Sequence, residues 1–163
     1  MNTITFFVPG LPATQGSKTP MGRSKSGQII LVDSCKRLPV WRHTVAAYAQ
    51  QAAQREGWEA TQGAIGLSLE FVLPRPKLHY KGGKRSEELK EDAPYWHTVK
   101  PDLCKLTRAV EDALRGILYW DDSNVVLYAN SQKRYCFHSP ACPPFCQHVG
   151  VMVKTKRIPS CIG

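Results

Sequence analysis

The stretch Lys100-Pro101-Asp102-Leu103-Cys104-Lys105-Leu106-Thr107-Arg108 decides the interpretation of the chain, because it joins a helix start to acidic and basic side chains. Apolar residues continue from it at steps of three and four, the spacing of one buried helical face: Leu103, Leu106, Val110, Leu114 and Ile117. Asp102 is placed to cap the first turn and Gly116 to end the helix. The sequence therefore predicts a helix over residues 103–115.

A second acidic pair, Asp121-Asp122, follows this helix. Residues 117–122 are rich in β-formers, and six extended residues span about 20 Å, close to the length of the helix itself. A return along the helix would place Asp122 beside Asp102, where two carboxylates near basic side chains suggest a divalent-metal site for phosphate chemistry. The simpler interpretation is a helix cap and a turn before a strand.

Composition limits the possible classes of protein. A chain of 163 residues is long enough for one domain, which we place at 1–163. Lysine and arginine number 22 against 13 acidic residues, and the net charge of +9 favours binding to nucleic acid or another anionic surface. No apolar run approaches the ~18 residues of a membrane span, and no signal peptide is recognisable, so we expect a cytoplasmic protein.

The alternation of apolar and turn-forming residues predicts an α+β fold. Residues 64–73 alternate apolar and smaller side chains and should form a strand with one buried face. Helices are expected at 36–55 and 103–115, and the remaining strands at 3–8, 28–32, 125–133 and 149–154. This order predicts a mixed β-sheet with two main helices packed on it.

Two segments lack periodicity and carry most of the candidate DNA-contacting residues. Residues 13–27 form a polar loop by composition, and residues 74–99 form an insertion loop, with a short helical piece near 86–91, that could close over a polyanion. Solvated basic loops are the alternative. The candidate nucleic-acid-binding residues are Lys18, Arg23, Lys25, Lys84, Arg85 and Lys100.

Residues 135–148 form a Cys/His-rich hairpin and a candidate zinc site. The possible ligands are Cys136, His138, Cys142, Cys146 and His148. A hairpin that carries these residues without metal is the alternative, since the spacing matches no standard finger. Four aromatic residues near basic side chains could stack on unpaired bases or belong to the core instead, with Trp120 the best candidate for the core: Tyr80, Tyr95, Trp96 and Trp120.

On these motifs the chain resembles the RusA-type Holliday junction resolvases, endonucleases of phages and prophages that cut four-way DNA junctions. The resemblance rests on the opening stretch, on Asp112-Ala113-Leu114 with Gly116, and on Asp121-Asp122-Ser123-x-Val125-Val126. It is supported by Val8-Pro9-Gly10, Gln15-Gly16-Ser17-Lys18 and Trp41-Arg42. The resemblance implies a RusA-like fold and a role in DNA recombination and repair.

The resemblance also implies roles for particular residues. The acids that bind Mg²⁺ in that family correspond to Asp102, Cys104 and Asp122. Asp121 would not bind the metal itself but would orient one of its ligands. Cys104 replaces a carboxylate, and a thiol is a poor ligand for Mg²⁺, so this position predicts a changed metal preference, weaker activity or none. Arg108 and Lys105 would contact the phosphate. Mn²⁺ is a possible substitute for Mg²⁺.

The function that these observations predict is metal-dependent hydrolysis of a phosphodiester at a Holliday or other branched DNA junction. A homodimer is expected, because cutting two opposed strands calls for two sites related by a two-fold axis. Two alternatives remain open. One is a weakened or inactive branched-DNA binding protein, and the other is a zinc-stabilised module that binds single-stranded nucleic acid.

Overall fold

The computed structural model describes residues 2–16, 18–33, 35–137 and 148–159. This part of the chain forms seven strands and two α-helices: β1 Thr3–Pro9, β2 Lys18–Arg23, β3 Ile29–Asp33, α1 Leu38–Glu56, β4 Ile65–Leu73, α2 Leu103–Leu114, β5 Val125–Tyr128, β6 Gln132–Tyr135 and β7 Gly150–Arg157. Neither of the two α-helices in this part of the chain has the length and the apolar run that a membrane span needs.

Strand β4 lies at the centre of a five-stranded mixed sheet. Its neighbour on one edge is β7, which is antiparallel to it and to the outer strand β1. On the other edge, β5 runs parallel to the first half of β4 and β6 parallel to the second half. The predicted α+β fold, a mixed sheet with two main helices, is confirmed.

Both helices pack on one face of this sheet, which we call the helix face. Ile65, Leu67 and Leu69 of β4 are fully buried there, together with alternate residues of β1 and β7. Trp41 of α1 and Leu106 of α2 belong to the same core. The residues between them in the strands, such as Glu70 of β4, point to the opposite side, which we call the open face.

Helix α1 confirms the predicted helix at 36–55 with small shifts at its ends. Pro39 lies in its first turn, and Gly57 ends it in the left-handed conformation with φ 59°. Val40 and Tyr48 are the exposed large apolar residues of this helix. Each lies directly before a buried residue, so it is rotated about 100° away from the core.

The prediction of a loop over residues 13–27 is wrong for its middle part, because Lys18–Arg23 form strand β2. Strands β2 and β3 pair antiparallel as a separate two-stranded sheet, with an irregularity between Pro20 and Arg23. Proline and glycine in β2 are residues that sheets disfavour. Its strand character therefore comes from pairing with β3, which residue preferences alone do not reveal.

The insertion over 74–99 is irregular, as predicted, but it is anchored at both ends. The buried Arg75 donates from Nε to the Cys136 carbonyl at 3.0 Å and from a terminal nitrogen to the Pro94 carbonyl at 2.7 Å. At the other end, the His97 amide donates to the Lys133 carbonyl. The expected helical piece at 86–91 is wrong, since the 3₁₀ turns lie at Lys77–His79 and Gly83–Arg85.

The extended return path predicted for residues 117–122 is also wrong. Gly116, with φ 78°, opens a tight turn in which its amide donates to the Tyr119 carbonyl at 2.7 Å. Leu118 and Tyr119 are thereby buried, and a 3₁₀ turn follows at Asp122–Asn124. Asn130, with φ 54°, divides the single strand predicted at 125–133 into β5 and β6.

Candidate active site

Helix α2 exposes one face to a shallow open groove. Cys104, Arg108 and Glu111 lie along it because positions separated by four and then three residues share a helix face. Tyr128 and Ser131 line the groove opposite the helix. The groove has a volume of about 510 Å³ and is lined by Leu103, Cys104, Thr107, Arg108, Glu111, Tyr128 and Ser131.

Asp102 occupies the cap position of α2, but its side chain does not cap the helix. Its backbone is extended and no capping hydrogen bond forms. The carboxylate instead lies 3.2 Å from Lys105 Nζ, one turn further along, and the Asp102 side chain is 49% exposed. The capping prediction is therefore wrong, and the carboxylate faces solvent with a basic residue beside it.

Asp121 and Asp122 have different surroundings. Asp121 accepts a hydrogen bond from the Ser123 amide at 3.1 Å, and its own amide donates to Asn124 Oδ1 at 3.0 Å. The hydrogen bonds from Ser123 lower the pKa of Asp121. This residue stabilises the turn that presents Asp122, which is exposed.

Glu111 is a groove residue that the sequence interpretation missed. Tyr128 donates from its hydroxyl to Glu111 Oε1 at 2.6 Å. Burial raises the pKa of Glu111, and the charges of Asp122 and Asp112 raise it further. The signal that could have identified it is its spacing: it lies two turns after Cys104 and one turn after Arg108, on the exposed side of an amphipathic helix.

The predicted acids are distributed along α2. Asp102 precedes the first turn and Asp121 lies 4.0 Å from Arg115 at the other end of this twelve-residue helix. Such a helix is about 18 Å long. Among the described residues, no three Asp, Glu, Cys or His side chains form a group that could hold a metal ion. Magnesium binding by Asp102, Cys104 and Asp122 therefore stays a prediction.

Two residues of the N-terminal motifs, Gln15 and Arg42, contact helix α2. The Gln15 amide donates to the Lys105 carbonyl at 3.0 Å. The Arg42 guanidinium of α1 donates to the Gln15 side chain and forms an ion pair with Asp112. These contacts join three segments that are far apart in sequence and set the position of α2.

The predicted DNA-contacting residues lie on three separate segments. Arg23 and Lys25 are exposed near the β2–β3 turn, Lys84 and Arg85 on the 3₁₀ turn of the insertion, and Lys100 just before Asp102. Lys18 lies in β2. Lys133 was not predicted: its Nζ donates to the Val99 and Pro101 carbonyls at 2.7 and 2.6 Å, which fixes the chain entering α2.

The possible zinc site falls largely outside the described residues. His138, Cys142 and Cys146 belong to the part of the chain that the structure does not describe. Cys136 is buried with a free thiol and lines the same hollow as His148. Zinc binding stays a prediction. Of the four candidate stacking residues, Tyr80 is buried and Trp120, expected in the core, is exposed.

The open groove presents the Arg108 guanidinium, a group that can form paired hydrogen bonds to the oxygens of a phosphate. The chain is a member of the RusA endodeoxyribonuclease family, whose sequence pattern it matches over residues 11–136. The matched region includes the whole of α2, the Asp121-Asp122 pair, Gln15 and Arg42. The resemblance seen in the sequence is thereby confirmed, and the family is one of DNA endonucleases.

A curated protein from Bacillus subtilis strain 168, the uncharacterized protein YqaN, is also similar. The two are 29% identical over 126 residues, which cover 77% of this chain and 84% of that protein. The similarity therefore spans most of both chains.

Proposed function

We propose that this protein is an endonuclease that resolves Holliday or other branched DNA junctions by phosphodiester hydrolysis, in DNA recombination or repair in the cytoplasm of a bacterium or a phage-infected cell. The observation that carries the proposal is the α2 groove. Arg108 and Glu111 face the same solvent-filled space there, in a member of a DNA endonuclease family.

Residues in and around the groove have separate roles in binding and in cleavage. Arg108 and Lys105 bind the scissile phosphate, since a guanidinium or ammonium neutralises charge that grows in the transition state. Asp102 and Asp122 are the acids expected to act in hydrolysis. Glu111 supplies a carboxylate on the helix face where Cys104 does not.

We also propose a requirement for a divalent cation, Mg²⁺ or Mn²⁺, with Asp102 and Asp122 as ligands. Such an ion would activate water for hydrolysis. This part rests on the family relationship, because the side chains are not gathered into a preformed metal group. Cys104 would weaken binding of Mg²⁺ more than binding of a softer metal.

A homodimer would supply two sites for paired cuts. The outer strand β5 presents Val126 and Leu127, which are 61% and 49% exposed. Exposed apolar side chains on an edge strand favour contact with a second copy. Sedimentation should give twice the mass of the chain, and Val126→Lys should reduce the complex to a monomer.

The direct test incubates the protein with a labelled four-way junction, with Mg²⁺, with Mn²⁺ and with chelator. We expect paired, symmetric nicks that need the cation and are lost in Asp122→Asn. Asp92→Asn is the matched control, since Asp92 is an exposed aspartate of the insertion. Tight junction binding without nicks in either metal would favour the non-catalytic alternative, for which Cys104 is the supporting observation.

A further inference from the structure

The open face of the sheet is the largest feature that the α2 groove does not use. Because strand residues alternate between faces, the residues that lie between the core positions point here. Lys154 and Lys156 of β7 are exposed on this face, as is Met152. A hollow of about 300 Å³ lies beside them, with Phe7, Arg134 and Phe137 among its lining residues.

Three aromatic side chains form a cluster at one edge of this hollow. The ring of Tyr95 is 4.5 Å from that of Trp96 and 5.3 Å from that of Phe137, measured between centroids. The three side chains are 40%, 51% and 55% exposed, in that order. About half of the surface of these side chains is therefore accessible to a planar partner.

The cluster is held in place by β6. The Tyr135 amide donates to the Tyr95 carbonyl at 3.0 Å, and Trp96 pairs with Arg134 as an isolated antiparallel bridge. The Arg134 guanidinium lies 5.4 Å from the centre of the Phe137 ring and forms an ion pair with Glu70. The rings are thus ordered before any ligand arrives, which lowers the entropic cost of binding.

We propose that the open face binds a stretch of unpaired DNA, with phosphates on Lys154 and Lys156 and a base stacked on the cluster of Tyr95, Trp96 and Phe137. The inference rests on the proposed function, because branched DNA exposes unpaired bases where its branch point is distorted or incompletely complementary. It adds to that function a second DNA-binding surface, on the side of the sheet away from α2.

The spacing of the two parts suits a short single strand. Lys154 pairs with Ser68 in β4, and Arg134 pairs with Val72. Four residues along a strand cover about 13 Å and two strand spacings about 10 Å, so the lysine and the arginine are roughly 16 Å apart. A few nucleotides of extended chain can join them.

The chemistry favours DNA over a protein partner. Glu70, an acid on this face, is already neutralised by Arg134, which leaves the lysines to set the local charge. A basic surface beside exposed aromatic rings is the combination that binds single strands without sequence preference, since every base offers a π-face.

The test uses the fluorescence of Trp96. Trp41 and Trp58 are buried, so Trp120→Phe leaves Trp96 as the exposed tryptophan. A four-way junction with unpaired thymines at its centre should quench this fluorescence, and a fully paired junction of equal length should quench it less. No difference between the two junctions would overturn the proposal.

Binding measurements supply the second arm. Trp96→Ala should weaken affinity for the unpaired junction by about five- to 150-fold, and Trp96→Phe should restore most of it. Tyr48→Ala is the control, since Tyr48 is an exposed aromatic residue of α1. If Trp96→Ala bound the unpaired junction with unchanged affinity and still cleaved DNA, the open-face proposal would be contradicted but the proposed function would not. Failure to bind either junction would remove the proposed function as well.

Discussion

The two faces of the sheet are built from the same strands, but different kinds of side chain are exposed on the two sides of the molecule. On the helix face, β4 buries Leu67 and Leu69 in the core with α1 and α2, and the exposed side of α2 presents Arg108 and Glu111. On the open face, lysines and aromatic rings point to solvent. Helix α2 brings acidic and basic side chains close together, whereas the open face, in the part of the chain that the structure describes, presents an extended surface. The difference suggests that one face cuts DNA and the other holds it.

A large effect on cleavage should come from Arg108. Arg108→Ala should lower the single-turnover cleavage rate about a hundredfold, because a charge aimed at the developing transition state is removed. Arg108→Lys should recover part of the rate, since the charge returns without the forked geometry. Arg55→Ala, at an exposed position of α1, is the control. If Arg108→Ala weakened junction affinity by as much as it lowered the cleavage rate, Arg108 would act in binding DNA and not in stabilising the transition state.

Charge reversal on the open face should act on binding. The double variant Lys154→Glu and Lys156→Glu should lower junction affinity and reduce the slope of log K against log salt by about two, one for each phosphate that the lysines no longer neutralise. Lys36→Glu, on the connection before α1, should leave the slope nearly unchanged. A salt slope equal to that of the unmodified protein would show that DNA does not use this face.

A smaller gain is expected at Cys104. Cys104→Asp restores a carboxylate at the groove and should raise Mg²⁺-dependent cleavage about tenfold, equivalent to ~1.4 kcal/mol. Cys104→Ser removes the thiol without adding charge and should not raise it. Equal rates for the cysteine and aspartate proteins would mean that this position does not limit catalysis.

The smallest effect concerns pH and the segment that carries the aromatic cluster. Burial, and then the charge of Lys133, hold the pKa of His97 below its usual 6.5. Below pH 6.5 the His97 side chain therefore binds a proton more readily in the unfolded chain than in the folded protein. The free energy of unfolding should fall as pH drops from 6.5 through the lowered pKa.

Urea unfolding between pH 7.5 and 5 measures this dependence. His97→Gln should flatten the curve but not abolish it, because the pKa of His79 is also lowered by burial. Both histidines pack against Tyr135, with ring centroids 4.5 and 4.9 Å away. A curve in His97→Gln as steep as in the unmodified protein would contradict this origin.

The elements of the helix face could be predicted from the sequence more fully than those of the open face. Apolar spacing in 103–115 and alternation in 64–73 report burial directly, so both elements were predicted. The return path failed because burying Leu118 and Tyr119 overrode the β preference of that segment. The aromatic cluster depends on contacts between 95–96 and 137, which no local pattern encodes. Glu111 was missed because its pairing with Tyr128 is likewise non-local.

Single-turnover cleavage of a four-way junction at saturating protein tests the division between the faces most directly. With binding saturated, the Lys154→Glu, Lys156→Glu protein should cut within about twofold of the unmodified rate, whereas Asp122→Asn should fall at least a hundredfold, the scale of several kcal/mol of transition-state stabilisation. An open-face variant that falls as far as Asp122→Asn, or an Asp122→Asn protein that cuts at the unmodified rate, would contradict the assignment.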